Sequence, residues 1–566
     1  MTMARKFTLF VLIISSLTPL VYGQSLNLDI VSEIPIQDGG RVKPFETFAG
    51  ESVEMITGRW NFDGQDPVYL VLSFLSYSNW ADEPLIKVGY IPLKEELGLP
   101  DDRNRFSVNE LLNNPKVMQM SDRVSQKSAN DQDLTPAENE AAKLMHKIMT
   151  FRSIVNGSAL TIVPPPPGTP VESDENYYSS IMQPDRYDAE TLSQLQDEFK
   201  NMLVAFQEKD PLEFEQSSQA LASSLRQLNT DPSIYPTVTA IGREIHYNNL
   251  KPHMWAWIIY LVAALLFLLN FQFRYQALYW SAYGAAVVGF GFQTWGLLLR
   301  SLIAGRPPVS NMYETVIYVG WSILLIALIF EVFQRRRWVG FSGSLVGVGM
   351  LIMAHLLPFD SNIEPLVPVL RSNYYLIIHV MSITFSYGAF ALAMGLAHFI
   401  LISYLFWPGK KGLLRELNLF HYRVIQLGVV LLAAGTILGG VWAAESWGRF
   451  WGWDPKETWS LISLLGYMAI LHARFAGWLR DFGTAVGSII GFQLILMTWY
   501  GVNFVLATGL HSYGFGSGGG WYVAGYLLLE TLFLVFVGIR YFMASPTLIS
   551  QMSDNVTADP QDEVTA

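Results

Sequence analysis

No cysteine occurs among the 566 residues of this chain, which excludes disulfides, thiolate metal ligands and cysteine nucleophiles. Charge is scarce as well. Asp, Glu, Lys and Arg make up 15% of the residues against 51% hydrophobic ones, too apolar a balance for an ordinary soluble enzyme. The charge that is present sums to −11, which argues against a nucleic-acid partner. With thiolates gone, a metal or cofactor has to be held by histidine, methionine or carboxylate side chains, and the chain has nine histidines.

The apolar residues are unevenly spread. Beyond about residue 254 they gather in blocks long enough to cross a ~30 Å hydrocarbon core. At the N-terminus, Arg5 and Lys6 precede an apolar run from Phe7 to Leu17, and Val21-Tyr22-Gly23 resembles a small-residue cleavage site, so residues 1–23 read as a secretory signal peptide. The alternative is an uncleaved anchor helix. Both place residues 24–250 outside the cytoplasm, as a separate domain of mixed, mainly helical character. Ile34-Pro35-Ile36-Gln37-Asp38-Gly39-Gly40 marks a turn there, and Pro164 to Pro167 an extended stretch. Amphipathic helices are expected around 136–156, 188–208 and 212–228, the first starting at Thr135-Pro136. No catalytic constellation is visible in this domain, and His146 reads as structural.

About nine spans follow, at 254–271, 278–302, 313–333, 339–357, 375–406, 424–441, 458–475, 484–507 and 521–543. The expected fold is therefore an all-α polytopic membrane domain over 254–543 behind the extracytoplasmic domain. With that domain outside, the inner loops carry Arg274, then Arg335, Arg336 and Arg337, then Lys410, Lys411, Arg415 and Arg423, then Arg480. The outer loops are poorer in Lys and Arg, so the positive-inside rule gives the same topology as the signal peptide. The acidic tail, 544–566, is then cytoplasmic.

Five tryptophans, Trp442, Trp447, Trp451, Trp453 and Trp459, crowd an expected loop over 442–459 that this topology puts on the outer face. An interfacial aromatic belt accounts for Trp255, Trp257 and Trp280. It does not account for five tryptophans interleaved with Asp454, Lys456 and Glu457. Large flat rings suit a large flat ligand, and a porphyrin is the natural candidate. Asp454 and Pro455 read as an N-cap and first helical residue that shape the loop.

His379, ~7 Å inside the outer end of the fifth span, and His511, just beyond the eighth, lie at similar depth and come from different helices. They can supply the two axial donors that a six-coordinate haem iron needs. His472 lies roughly 21 Å from the outer end of the seventh span and cannot share that iron. It marks either a second haem position nearer the cytoplasm, with Arg474 as a propionate partner, or a histidine that snorkels to the inner interface. His398 at comparable depth reads as packing. His355 and Arg371 fall near the outer site, and Arg306 and Arg371 are candidate propionate contacts.

The stretch from Trp442 to Trp459, with Trp453-Asp454-Pro455-Lys456-Glu457-Thr458-Trp459 at its end, resembles the WWD signature of haem-handling proteins in cytochrome c maturation. Ser310-Asn311-Met312-Tyr313-Glu314, Leu370-Arg371-Ser372-Asn373-Tyr374, Leu471-His472-Ala473-Arg474 and Gly509-Leu510-His511-Ser512-Tyr513 narrow the resemblance to the CcsA (ResC) branch of the system II cytochrome c synthase, over about 280–540. The resemblance implies that His379 and His511 ligate haem b at the external WWD site, and that His472 belongs to a transmembrane haem site. It also implies that haem vinyl groups become joined to the cysteines of a Cys-x-x-Cys-His motif in a secreted apocytochrome c, at the outer face of a bacterial plasma membrane. No acid–base dyad is expected of this chain; positioning is its contribution. The second transmembrane ligand would come from a CcsB (ResB) partner, of which residues before 250 show no multi-span counterpart. The N-terminal domain is an addition to the simple CcsA plan. Rival readings are a CcmC-like haem exporter, usually shorter and lacking a His472-type site, and a b-type electron-transfer membrane protein with its histidine pairs inside the helices.

Overall fold

The computed structural model describes residues 26–169, 178–183, 186–335, 337–357, 359–365, 374–506 and 520–543. The expected signal peptide, Arg336, Arg371, His511 and the acidic tail fall outside these. The chain forms two compact units that meet between Ile245 and His246, close to the boundary expected near residue 250.

In the first unit, Gly39 and Gly40 both take positive φ (60° and 76°) and join two antiparallel strands, β1 (Pro35–Asp38) and β2 (Arg41–Pro44). A two-residue loop of this hand needs that backbone region at both positions, and glycine enters it at little cost. Helices α1 (Phe45–Thr57), α2 (Pro67–Ser76), α3 (Pro115–Ala129), α4 (Pro136–Val155), α5 (Ala189–Glu208) and α6 (Pro211–Leu228) pack around one apolar core that includes Ile36, Phe48, Phe74, Phe106, Phe151 and Phe214. The last three match the three expected helices within two residues at each end. Helix α4 begins with a reciprocal cap: Glu138 N–H donates to Thr135 Oγ1 at 3.3 Å, and Thr135 N–H donates to Glu138 at 2.8 Å. His146 is exposed on α4, so packing does not account for it.

Helix α7 (Val238–Leu250) crosses the boundary between the units. In the second unit, α8 (Pro252–Phe273), α9 (Gln276–Ala304), α10 (Met312–Gln334), α11 (Trp338–Leu356), α12 (Tyr374–Phe406), α13 (Lys411–Trp447), α14 (Pro455–Phe475), α15 (Asp481–Leu496) continued by a π-helical stretch (Met497–Leu506), and α16 (Gly520–Met543) occupy the nine expected positions. Eight helices among the described residues are long and apolar enough to cross a membrane. The protein is an all-α polytopic membrane protein. Helix α14 has the length, 21 residues, but is too polar to count among the eight. Its polar groups are used inward: Ser463 Oγ lies 2.8 Å from Thr498 Oγ1, and Tyr467 OH donates to the Ser488 carbonyl at 3.2 Å.

The tryptophan-rich segment is not one loop. Helix α13 runs through Trp442 to Trp447 and stops at Gly448, whose φ of 69° is the usual left-handed helix exit. Trp459 is already inside α14. The non-helical part is a seven-residue turn, 448–454, because the apolar run of α13 carries its hydrogen-bonded ladder past the expected end at 441.

Candidate functional site

Helices α12 and α13 pack closely along a stripe of small residues. A side chain at Gly428 would meet Phe390 at 2.6 Å, one at Gly435 would meet Ile383 at 2.5 Å, and one at Gly439 would meet the His379 ring at 2.4 Å. Gly435 and Gly439 are spaced as G-x-x-x-G in an apolar helix, the pattern that lets two backbones approach. That pattern is the sequence signal for this cradle.

The cradle fixes the chemistry of His379. Its Nδ1 lies 2.6 Å from the Gly435 carbonyl oxygen. A carbonyl only accepts, so Nδ1 carries the proton and Nε2 the lone pair, the arrangement a metal-bound imidazole has. The Trp442 ring, 1% exposed, lies nearly parallel to His379 at 6.5 Å, tilted by 10°. Trp447 meets Trp442 edge-on at 4.6 Å.

The turn after α13 is organised by Glu457. Its carboxylate accepts from the N–H groups of Gly452 (2.8 Å) and Asp454 (3.2 Å) and from Arg449 Nη1 (3.2 Å). Asp454 Oδ1 in turn accepts from Lys456 N–H at 3.0 Å, so Asp454 caps α14 and Pro455 opens it, as expected. Trp453 takes φ 58°, is 70% exposed, and meets Trp451 edge-on at 6.0 Å. The five tryptophans therefore divide: Trp442 and Trp447 back His379, Trp451 and Trp453 form the turn, and Trp459 sits in the second turn of α14.

Besides the Ser463–Thr498 pair, further hydrogen bonds tie the π-helical stretch to its neighbours. Thr498 Oγ1 donates to the Trp459 carbonyl (3.0 Å), Trp499 Nε1 to Thr315 Oγ1 (3.0 Å), and Lys456 Nζ to Asn503 Oδ1 (3.2 Å). π-Helical insertions concentrate at functional sites, and this one leads in sequence toward His511. His511 itself lies outside the described residues.

Arg300, 1% exposed, donates to Glu314 at 2.9 Å and to the carbonyls of Ser361 (2.8 Å) and Asn362 (3.0 Å). Arg306 donates to Glu314 at 2.9 Å and to the Glu364 carbonyl at 2.8 Å. Asn311 caps α10 by accepting from Glu314 N–H at 2.8 Å. The Ser310–Glu314 motif is thus a buried ion cluster that pins the chain ahead of α12. Arg306 is committed to it, which removes its candidacy as a propionate contact; Arg300 was not singled out from sequence.

His472 is exposed on α14, with Nδ1 2.7 Å from the Met468 carbonyl, so its lone pair too is on Nε2. Arg474 pairs with Asp481 at 2.7 Å and lies over the Tyr422 ring at 5.0 Å. It points into the bundle, away from a propionate role beside His472. His398 is packing, as expected: Nδ1 faces the Met394 carbonyl (2.8 Å) and Nε2 faces Glu530 (3.0 Å), so both nitrogens are committed. His355 is exposed near the end of α11. Among the described residues no three His, Asp or Glu side chains form a metal-ion cluster; a haem iron asks for two axial donors only.

Residues 309–511 match the model of a family described as cytochrome C assembly protein. The chain is 37% identical over 258 residues to the cytochrome c biogenesis protein CcsA of Trieres chinensis, covering 38% of this chain and 81% of that one. It is 33% identical over 297 residues to CcsA of Gloeobacter violaceus, covering 42% of this chain and 86% of that one. The chain belongs to the CcsA family. It is also 34% identical over 511 residues to the protein NrfI of Wolinella succinogenes, covering 84% of this chain but 53% of NrfI. It therefore spans about half the length of that relative. The matched residues of this CcsA-family chain include His379, the tryptophan turn, His472 and His511, and place it in cytochrome c biogenesis.

Proposed function

We propose that this CcsA-family protein binds haem b non-covalently at the outer face of a bacterial plasma membrane and presents it for covalent attachment to a secreted apocytochrome c. The observation that carries the reading is the pairing of His379 Nδ1 with the Gly435 carbonyl beside the Trp442 ring. It leaves an imidazole with its lone pair on Nε2, held in one orientation next to flat aromatic walls. The donor set fits haem: imidazoles and no thiolates.

His379 and His511 are the outer axial ligands, with Trp442, Trp447, Trp451, Trp453 and Trp459 as platform and walls. His472 is a ligand of a second haem position along the route from the membrane. Its exposure on α14 fits a second donor from outside the chain, a CcsB (ResB)-like membrane subunit. In the topology this requires, the N-terminal domain and tryptophan turn are outside and the C-terminus inside.

The haem supplies the vinyl groups. Each thiol S–H of a Cys-x-x-Cys-His segment adds across one vinyl double bond, sulfur to one carbon and hydrogen to the other, with no leaving group. The chain's contribution is to hold the porphyrin still, exclude water from its faces and keep the vinyl edge toward the incoming peptide. His379 and His511 would hold the haem until the substrate's own histidine takes over.

Full-length protein co-expressed with a ResB-like subunit and a Cys-x-x-Cys-His substrate tests this. Purified wild type is expected to carry non-covalent haem, and His379→Ala or His511→Ala to lose the outer-site haem and the covalent product together. An unchanged haem spectrum in both variants would sink the assignment. Bound haem without any covalent product would favour an exporter.

A further inference from the structure

The cations of the second unit are not equivalent. Arg449 is held by Glu457 at 3.2 Å and lies over the Trp447 ring at 5.7 Å. Arg300 and Arg306 share Glu314, and Arg474 has Asp481. Lys456 differs. Its half-buried ammonium donates to the neutral amide oxygen of Asn503 at 3.2 Å, and among the described residues no carboxylate pairs with it. The adjacent acid, Asp454, turns its Oδ1 to the backbone of Lys456 as a helix cap. A lysine ammonium has three donors, so two are left for something else.

Its placement gives that surplus a direction. Lys456 lies in the first turn of α14, between Trp453 and Trp459 in sequence. Its partner Asn503 belongs to the π-helical stretch that leads toward His511. The ammonium thus sits at the seam between the tryptophan turn and the element that leads to the second proposed axial ligand. Removing such a charge from water without a counter-ion is unfavourable. The chain supplies hydrogen-bond donors and apolar walls here, and a cation on which Asp454 acts through space without forming an ion pair with it.

We propose that Lys456 receives a propionate carboxylate of the bound porphyrin and sets the site's preference for the free-acid ligand. This rests on the haem reading above. A charge-assisted N–H···carboxylate bond fixes which edge of the ring faces the π-helical stretch, and so which edge, the vinyl one, faces outward.

The test compares equilibrium binding of haem and of haem dimethyl ester, whose propionates are masked, to the haem-depleted full-length protein in nanodiscs. Wild type is expected to prefer haem by about tenfold or more, the order of one charge-assisted contact. In Lys456→Gln, which keeps an N–H donor for Asn503, the preference falls by about tenfold through weaker haem binding alone, the ester being unaffected. Lys456→Arg keeps the preference. A preference that survives Lys456→Gln, or haem and ester weakened alike, would overturn the proposal and leave the haem reading standing. Wild type that binds neither compound overturns the haem reading and this proposal with it.

Discussion

His379 and Gly439 occupy one space: the imidazole edge lies 2.4 Å from where a Gly439 side chain would begin, while Gly435, one turn away, accepts the ring's Nδ1–H at 2.6 Å. One glycine supplies the room and the other the acceptor. The orientation of the proposed ligand is therefore a property of the α13 backbone.

It follows that Gly439→Ala is expected to push the ring out of its hydrogen bond, destabilising the protein by about 1–3 kcal/mol, as overpacking does, and depleting outer-site haem. Gly284→Ala on α9, with nothing within 4 Å of the added carbon, is expected to be neutral or slightly stabilising. Thermal melts and the haem absorbance of the two variants check this; equal behaviour would show that the cradle is not what holds His379.

The Arg300–Glu314–Arg306 cluster makes a sharper stability prediction. Side-chain exposures are 1%, 0% and 12%. Glu314→Gln leaves Arg300 buried without its counter-charge and is expected to cost about 3 kcal/mol or more. Asn311→Ala removes only the α10 cap and is expected to cost about 1 kcal/mol. Denaturant unfolding in detergent separates the two, and a Glu314→Gln variant no weaker than Asn311→Ala would refute the pinning role.

Glu457 gathers the turn. Glu457→Ala orphans the Gly452 and Asp454 N–H groups and frees Arg449, so protease cleavage within 448–454 is expected to accelerate severalfold, about 1 kcal/mol or more of local opening. Glu457→Gln keeps an acceptor at that position and should lie in between. The experiment is a timed digest of full-length protein, read by mass.

Much of this was legible in the sequence because it depends on composition over long windows. Apolar length placed all nine helices, although α13 starts at Lys411, ahead of the expected 424, so that Lys411, Arg415 and Arg423 lie in the helix and not in a loop. Asp454-Pro455 gave the start of α14, since a cap is a local device. The end of α13 was not legible: Trp442 to Trp447 look like loop residues until the helix ladder is seen to run through them. Nor was the fate of Arg306 and Arg474. A cation beside a proposed haem looks available, and only the fold reveals Glu314 and Asp481 reaching it from other helices. Gly435 and Gly439 were readable as a helix-packing pattern, but that the packed object is His379 required the structure.

In the N-terminal domain, Glu138 sets an acid limit. The hydrogen bond from Lys127, then that from the Thr135 backbone, holds its carboxyl down at about 2, against an ordinary value near 4.5. An acid depressed in the folded state stabilises above its unfolded value, and that contribution is lost as pH falls toward the folded one. The first turn of α4 is thus expected to lose protection progressively below about pH 4.5 in wild type. Glu138→Gln should be less protected at neutral pH and flat across that window. Amide exchange of residues 136–141 in full-length protein, corrected for intrinsic rates, decides it.

His398 and Glu530 make a prediction that separates haem ligation from packing. Helix α16 leaves most of its apolar side chains exposed, from Trp521 to Met543, so few contacts within this chain hold it. Its polar contacts are Glu530 to His398 Nε2 at 3.0 Å, and Tyr526 OH, 3.1 Å from Met394 Sδ and 3.4 Å from Gln493 Nε2; beside them Val537 is buried, Phe533 stacks on His398 and Tyr541 on Phe482. Since the other ring nitrogen of His398 faces the Met394 carbonyl, no lone pair is left for a metal. His398→Ala is therefore expected to keep wild-type haem content, unlike the His379 and His472 variants, while loosening α16. A double-mutant cycle with Glu530→Gln should give a coupling of about 1 kcal/mol, within the range of hydrogen bonds between membrane helices. Loss of haem in His398→Ala with no coupling to Glu530 would reverse the assignment and make His398 the inner ligand in place of His472.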